Sequence, residues 1–110
     1  MAISDEFLEH ILDQLKGVGT VRAKRMFGGA GLYLDHAMFA LIADDVLYFK
    51  VHESNRRDYE ALGMAPFSPF GRAMPYFEVP ADVLEDREEL RDWALKSVAI
   101  ASSTPLPKTS

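Results

Sequence analysis

The sequence contains no cysteine, and this absence excludes several classes of protein. A disulfide-stapled scaffold needs paired cysteines, and a cysteine-rich zinc site needs thiolate ligands. A thiol nucleophile is excluded for the same reason. The three histidines, His10, His36 and His52, lack the spacing of a metal-binding motif, and no G-x-S-x-G elbow is present. We therefore expect no metal, no cofactor and no catalytic residues.

Long apolar runs and a basic leader segment are also missing. No stretch approaches the roughly 20 apolar residues that a membrane span requires. The sequence opens with Asp5 and Glu6 close to its start, where a signal peptide carries basic residues. These features predict a cytoplasmic protein without membrane contact.

Positive charge is scarce, because the 110 residues carry a formal net charge of −5. A domain that binds nucleic acid through its phosphates is usually basic, so autonomous nucleic-acid binding is disfavoured. The length fits a single domain, and a hydrophobic fraction of 48% suffices for one core.

Three helices are predicted from capping residues and apolar spacing. Ser4 is the expected N-cap of the first helix, which Gly17 closes at the C′ position. A short second helix is expected over residues 55–62, with Ser54 at its start and Gly63 at C′. Asp86 and Glu89 form a capping pattern at the start of the last helix, which ends near residue 101. One helical turn is expected at residues 80–84.

Alternating apolar residues predict five strands, and Pro75 in the last of them indicates either an edge strand or the start of a strand. The strands fall at residues 20–27, 31–34, 37–42, 46–51 and 74–79. Tight turns at 35–36 and 44–45 leave room only for antiparallel pairing. The proline-containing loop at 64–72 is expected to place Phe67 and Phe70 over the sheet.

The element order α-β-β-β-β-α-β-α predicts a two-layer α+β domain, an antiparallel β-sheet with helices on one face. Residues 1–101 form this domain, and residues 102–110 are expected to be a disordered tail. Several strands, however, carry apolar residues on both faces: Tyr48 and Phe49 are adjacent and must point to opposite sides. A sheet of this kind needs a second cover, so we expect a homodimer or a partner on the open face.

The glycines at 28, 29 and 31 follow basic residues and invite a phosphate-binding hypothesis. A P-loop or dinucleotide motif, however, must open a helix, whereas these glycines lead into a strand. We favour a glycine break or bulge in the sheet. The basic patch formed by Arg22, Lys24 and Arg25 is interpreted mainly as a solvated surface, with binding of an anionic partner as the alternative.

Several motifs resemble the N-terminal domain of the TfoX/Sxy competence regulators. The first begins Arg25-Met26-Phe27-Gly28-Gly29 and continues with a glycine, a leucine and a tyrosine at positions 31–33. The others lie at residues 38–42, 47–51, 63–67, 76–80, 84–86 and 90–94. The resemblance spans residues 4–101 and implies a fold like that of secretion chaperones. It also implies transcriptional control of DNA uptake, through contacts with a cyclic-AMP receptor-type activator. The full-length regulators carry a further C-terminal domain, so we expect a stand-alone copy.

These observations favour a small, non-enzymatic regulatory or protein-interaction domain, with a transcription regulator as a possible protein partner. Glycines are expected to shape the predicted interaction surface, aromatic residues to anchor the partner, and cations to meet an anion or an acidic partner. The surface consists of Arg25, Phe27, Gly28, Gly29, Tyr33 and Lys50. The alternatives are an accessory DNA-binding domain that uses the basic patch, and a small-molecule-binding or enzymatic domain with a pocket under the 64–72 loop.

Overall fold

The computed structural model describes residues 4–26 and 28–103, which form four α-helices and five β-strands. The elements are α1 (Asp5–Gln14), β1 (Val21–Met26), β2 (Gly29–Leu34), β3 (Ala37–Ala43), β4 (Val46–Lys50), α2 (Glu53–Glu60), β5 (Tyr76–Glu78), α3 (Ala81–Leu84) and α4 (Arg87–Ser103). A short 3₁₀ turn, Lys16–Val18, joins α1 to β1. The predicted α+β class and element order are confirmed, with the single turn α3 inserted before the last helix.

Helix α1 begins at the predicted N-cap. The Ser4 hydroxyl oxygen accepts a hydrogen bond of 3.1 Å from the main-chain N–H of Phe7. The predicted end is wrong, because the helix tightens into the 3₁₀ turn and Gly17 lies inside that turn. Gly19 instead takes the positive φ of 140° that turns the chain towards β1.

Helix α2 begins at Glu53, earlier than the predicted start at Ser54. His52 is its N-cap, and the main-chain N–H of His52 donates to Oδ1 of Asn55 over 2.8 Å. A buried asparagine that reaches back in this way supplies the acceptor that a capping box requires. Gly63, with a φ of 72°, lies two residues beyond the C-cap Ala61 and not at C′ as predicted.

The five strands form one antiparallel sheet in sequence order, β1-β2-β3-β4-β5. The predicted glycine break is confirmed, because β1 ends at Met26 and β2 begins at Gly29. The alternative of a bulge between these strands is wrong, because their register is continuous from Met26 opposite Gly29 to Val21 opposite Leu34. Gly28 lies in a turn before β2 and has the positive φ of 77° that such turns favour.

The irregularity in the sheet lies on β3 instead. Leu32 pairs with Ala40 and Tyr33 with Met38, which leaves Phe39 as the extra residue. A bulge turns two consecutive residues towards the same side, and Phe39 is fully buried with its ring centroid 6.0 Å from that of Phe49.

All four helices pack on one face of the sheet, as predicted for a two-layer domain. The buried core cluster combines alternate strand residues with the apolar sides of the helices. Its members are Ile11, Leu15, Ala30, Leu32, Phe39, Ala40, Ile42, Leu47, Phe49, Val51, Tyr59, Phe77, Val79, Val83, Leu90 and Ala94. The Ser97 hydroxyl of α4 donates to the carbonyl oxygen of Lys50 over 2.7 Å, which fixes this helix against the end of β4.

The loop after α2 covers the outer edge of β5. The main-chain N–H of Phe67 donates to the carbonyl oxygen of Tyr76 over 2.8 Å, and Pro66 forms a bridge with Phe77. The Phe67 ring then packs on Tyr48, with centroids 5.0 Å apart. Phe70 does not reach the sheet and is 94% exposed, so the prediction holds for only one of the two phenylalanines.

Helix α4 starts as predicted, because the Asp86 carboxylate accepts from the main-chain N–H groups of Glu88 and Glu89 at 3.0 and 3.1 Å. It continues to Ser103, two residues beyond the predicted end. The remainder of the predicted tail, residues 104–110, lies outside the described residues. Within residues 4–26 and 28–103, no helix is long and apolar enough to span a membrane.

Candidate interaction site on the open sheet face

We call the side of the sheet opposite the helices the open face. Residues paired across antiparallel strands point to the same side, so the register defines its members. They are Arg22, Lys24 and Met26 of β1; Gly29, Gly31 and Tyr33 of β2; Met38, Leu41 and Ala43 of β3; Val46, Tyr48 and Lys50 of β4; and Tyr76 and Glu78 of β5. None of these described residues belongs to the core cluster.

An apolar cleft of about 100 Å³ lies near the middle of the open face, where Met26, Met38 and Leu41 meet Phe67 from the loop. Two of the methionine side chains that line it occupy the space that a side chain at Gly31 would need. A Cβ there would lie 2.9 Å from Cε of Met26 and 3.1 Å from Sδ of Met38. The glycine therefore lets two flexible, polarisable side chains lie over the strand.

The aromatic rings of the open face are already in contact with other groups. Phe67 packs on Tyr48 at a tilt of 53°, and Nζ of Lys50 lies 5.3 Å from the centroid of the Tyr76 ring. Tyr33 is half-buried beside the strand that carries the basic residues. Because these ring faces already contact other groups, the ring edges and hydroxyl groups are the parts that remain available to a ligand.

Two tyrosine hydroxyls of the open face hold their protons strongly. Burial raises the pKa of Tyr48, and the negative charges of Glu78 and Asp44 raise it further. Burial also raises the pKa of Tyr76, with a smaller contribution from Tyr33. These hydroxyls are therefore suited to donating hydrogen bonds at neutral pH and not to accepting protons as bases.

The β1 end of the open face is basic. Arg22 and Lys24 are exposed and, with Tyr33 and His36, line a shallow cavity of about 270 Å³. The guanidinium of Arg22 donates to the carbonyl oxygen of Asp35 over 3.0 Å, which holds it beside the β2–β3 turn. Lys24 thus neighbours Met26 of the apolar cleft on the same side of β1.

The structure divides the predicted interaction surface between the two sides of the sheet. Gly29, Tyr33 and Lys50 belong to the open face, as do Arg22 and Lys24 of the predicted basic patch. Arg25 points to the helical side, where its guanidinium forms an ion pair with Asp5 of α1. Gly28 lies exposed in the β1–β2 connection, and Phe27 lies outside the described residues.

Three side chains that line the apolar cleft, Met26, Met38 and Leu41, were missing from the predicted interaction surface. Strand alternation places Leu41 on the side opposite Ile42, so it carried a usable signal. Phe67 was expected over the sheet as part of the 64–72 loop, but it was not assigned to the interaction surface. Within the described ranges, no cluster of three histidine, aspartate or glutamate side chains could hold a metal ion.

The fold and this site define a small two-layer α+β domain that leaves one face of its sheet outside the helical layer. The family model of the TfoX N-terminal domain matches residues 13–101, and the chain belongs to this family. The resemblance noted in the sequence is thereby confirmed. A comparison with curated proteins gives no significant match.

Proposed function

We propose that this domain is a non-enzymatic protein-interaction module with a regulatory role, and that the open face is the surface it uses. The observation that supports this proposal is the apolar cleft at Met38, Leu41 and Phe67, which no described helix covers. When a partner removes apolar groups on an exposed sheet face from water, their burial stabilises the complex by about 25 cal/mol per Å² of buried apolar surface.

Two kinds of partner are compatible with this proposal. One is a second copy of the chain, which would form the homodimer expected from the sequence. The other is a different protein, and a transcription regulator is the form that membership of the TfoX N-terminal domain family suggests. In both cases Tyr33 and Leu41 would lie inside the interface.

A photo-crosslinking experiment in the native cells tests this proposal. Tyr33→p-benzoylphenylalanine places a reactive ketone on the open face, and Leu95→p-benzoylphenylalanine places the same group on α4, where Leu95 is 43% exposed. We expect a discrete protein adduct from position 33 and none of comparable yield from position 95. Mass spectrometry of the adduct distinguishes a second copy from another protein. Equal, diffuse labelling from both positions would refute the proposal.

A further inference from the structure

We infer that the open face binds a short acidic segment of a partner protein, one that inserts an apolar side chain into the cleft beneath Met26 and Met38. This inference rests on the proposed function and adds the chemical class of the partner. It follows from the distribution of charge, the volume of the cleft and the contacts that the aromatic rings already make.

The open face has the opposite charge balance to the whole molecule. It carries three cations, Arg22, Lys24 and Lys50, and one carboxylate, Glu78, while Asp44 in the β3–β4 turn adds a second negative charge near Tyr48. The chain as a whole has a formal net charge of −5. Complementary potentials guide association and select partners, so this face favours an acidic ligand over a basic one.

The cleft fits one apolar side chain. Its volume is about 100 Å³, and a dry cavity of about 150 Å³ holds a benzene molecule. The wall made by Met26 and Met38 can adjust, because methionine has three rotatable bonds and a polarisable sulfur atom. Because the cleft is smaller than a cavity that holds benzene, an aliphatic residue of the partner is the expected anchor.

The strand register gives the distance that the segment must span to cross the open face. Lys24, Gly31, Leu41 and Tyr48 follow one another across β1 to β4. Neighbouring strands are about 4.8 Å apart, so this row spans about 14 Å, or about five residues of extended chain. A segment of this length can place carboxylates beside Lys24 while its apolar residue occupies the cleft.

A second copy of the chain is a poorer match for this face. A two-fold contact repeats every residue of the surface, so it would bring two sets of the same three cations together. Single-stranded nucleic acid is also a poorer match, because it gains most from free aromatic faces. Tyr48 is already covered by Phe67, and Tyr76 by Lys50.

The test uses the full chain, labelled with ¹⁵N, and two synthetic peptides. One peptide alternates glutamate with leucine, and the other replaces each glutamate by lysine. We expect the acidic peptide to shift the amide signals of Gly31, Tyr33 and Leu41, with an affinity that falls as salt is raised. The basic peptide should give no shifts, and a glutamate–serine peptide should bind at least about tenfold more weakly because it lacks the anchor.

Two charge reversals provide the matched control. Lys24→Glu should weaken binding of the acidic peptide by about three- to tenfold, because it places a like charge beside the ligand. Arg57→Glu makes the same change on the exposed side of α2 and should leave the affinity unchanged. Equal effects of the two variants would overturn the inference. So would shifts that map away from the open face, or tighter binding of a thymidine oligonucleotide.

The two proposals can fail separately. If crosslinking from position 33 yields a partner but Lys24→Glu leaves its yield unchanged, the acidic class of partner is wrong and the interaction function stands. If position 33 gives no specific adduct, the proposed function itself fails. An adduct with a second copy would exclude the acidic segment and retain a self-associating interaction domain.

Discussion

The rings of Tyr59 and Trp93 meet at nearly a right angle, with centroids 4.8 Å apart and planes inclined at 77°. This contact joins α2 to α4, and Phe77 of β5 lies against the same tyrosine with a centroid separation of 5.9 Å. Edge-to-face pairs contribute about 0.5–1.5 kcal/mol beyond the area they bury. Tyr59 therefore locks two helices and an edge strand together.

Removal of the Tyr59 hydroxyl should have little effect on stability. This oxygen is buried beside the Ser97 hydroxyl, which donates its own proton to the carbonyl oxygen of Lys50, and burial raises the pKa of the tyrosine well above its usual value. Tyr59→Phe should change the free energy of unfolding by less than about 1 kcal/mol, measured by urea denaturation. Tyr59→Ala, which also removes the ring contacts, should cost about 3–5 kcal/mol. A larger loss in the phenylalanine variant than in the alanine variant would contradict this assignment.

Two glycines of β2 should respond differently to alanine. A Cβ at Gly29 would lie 2.2 Å from the carbonyl oxygen of Ile42, which is fixed in the sheet. At Gly31 the nearest atoms belong to flexible methionine side chains. Gly29→Ala should therefore cost about 2–3 kcal/mol of stability and Gly31→Ala less than about 1 kcal/mol, by thermal denaturation. The reverse order would show that the methionines are held more firmly than the strand backbone.

Asp13 should contribute to stability against acid. The hydrogen bond from Lys16, at 3.2 Å, and the charge of Arg87 hold the pKa of its carboxyl group below the usual value. A carboxyl group with a lower pKa in the folded state stabilises the fold above its unfolded pKa, about 3.9, and loses this effect as pH falls through the folded value. Asp13→Asn should lower the midpoint urea concentration at pH 7. As the pH falls below 4, the midpoint of this variant should decrease less than that of the unmodified protein. Asp92→Asn removes an ion pair with the adjacent Arg91, and the midpoint urea concentration of this variant should decrease below pH 4 as much as that of the unmodified protein.

The Asp86 cap should be worth about 1 kcal/mol. Its carboxylate satisfies two main-chain N–H groups that would otherwise lack partners at the start of α4. Asp86→Ala should lower the free energy of unfolding by about 1 kcal/mol, and Asp86→Ser should recover most of the loss because serine keeps an acceptor oxygen. Identical stabilities of the two variants, measured by chemical denaturation, would argue against the cap.

Local chemistry made much of the fold predictable. Ser4 and Asp86 are N-caps whose side chains act within three residues, so their role can be read from neighbouring sequence. The strand meander was predictable for the same reason, since Asp44 and Asp45 occupy a tight turn with φ values of 52° and 58°. The bulge at Phe39 was not predictable, because it depends on which residues of β3 pack into the core opposite β2.

The candidate site was predictable only in part, because its members meet through strand register. Lys24 and Arg25 are adjacent in sequence and lie on opposite sides of β1, so the predicted basic patch combined residues with different surroundings. Leu41 and Phe67 come together only after the loop folds back on the sheet. Alternation within a strand separates its two sides, but it does not show which neighbours complete each side.

Strand β1 has a consequence for solubility at high concentration. It lies at the end of the sheet, and its exposed side chains include Arg22, Lys24 and Arg25. Two such strands placed side by side would bring like charges together, which opposes the continuous sheet growth that leads to fibres. The cationic end of the sheet thus discourages polymerisation.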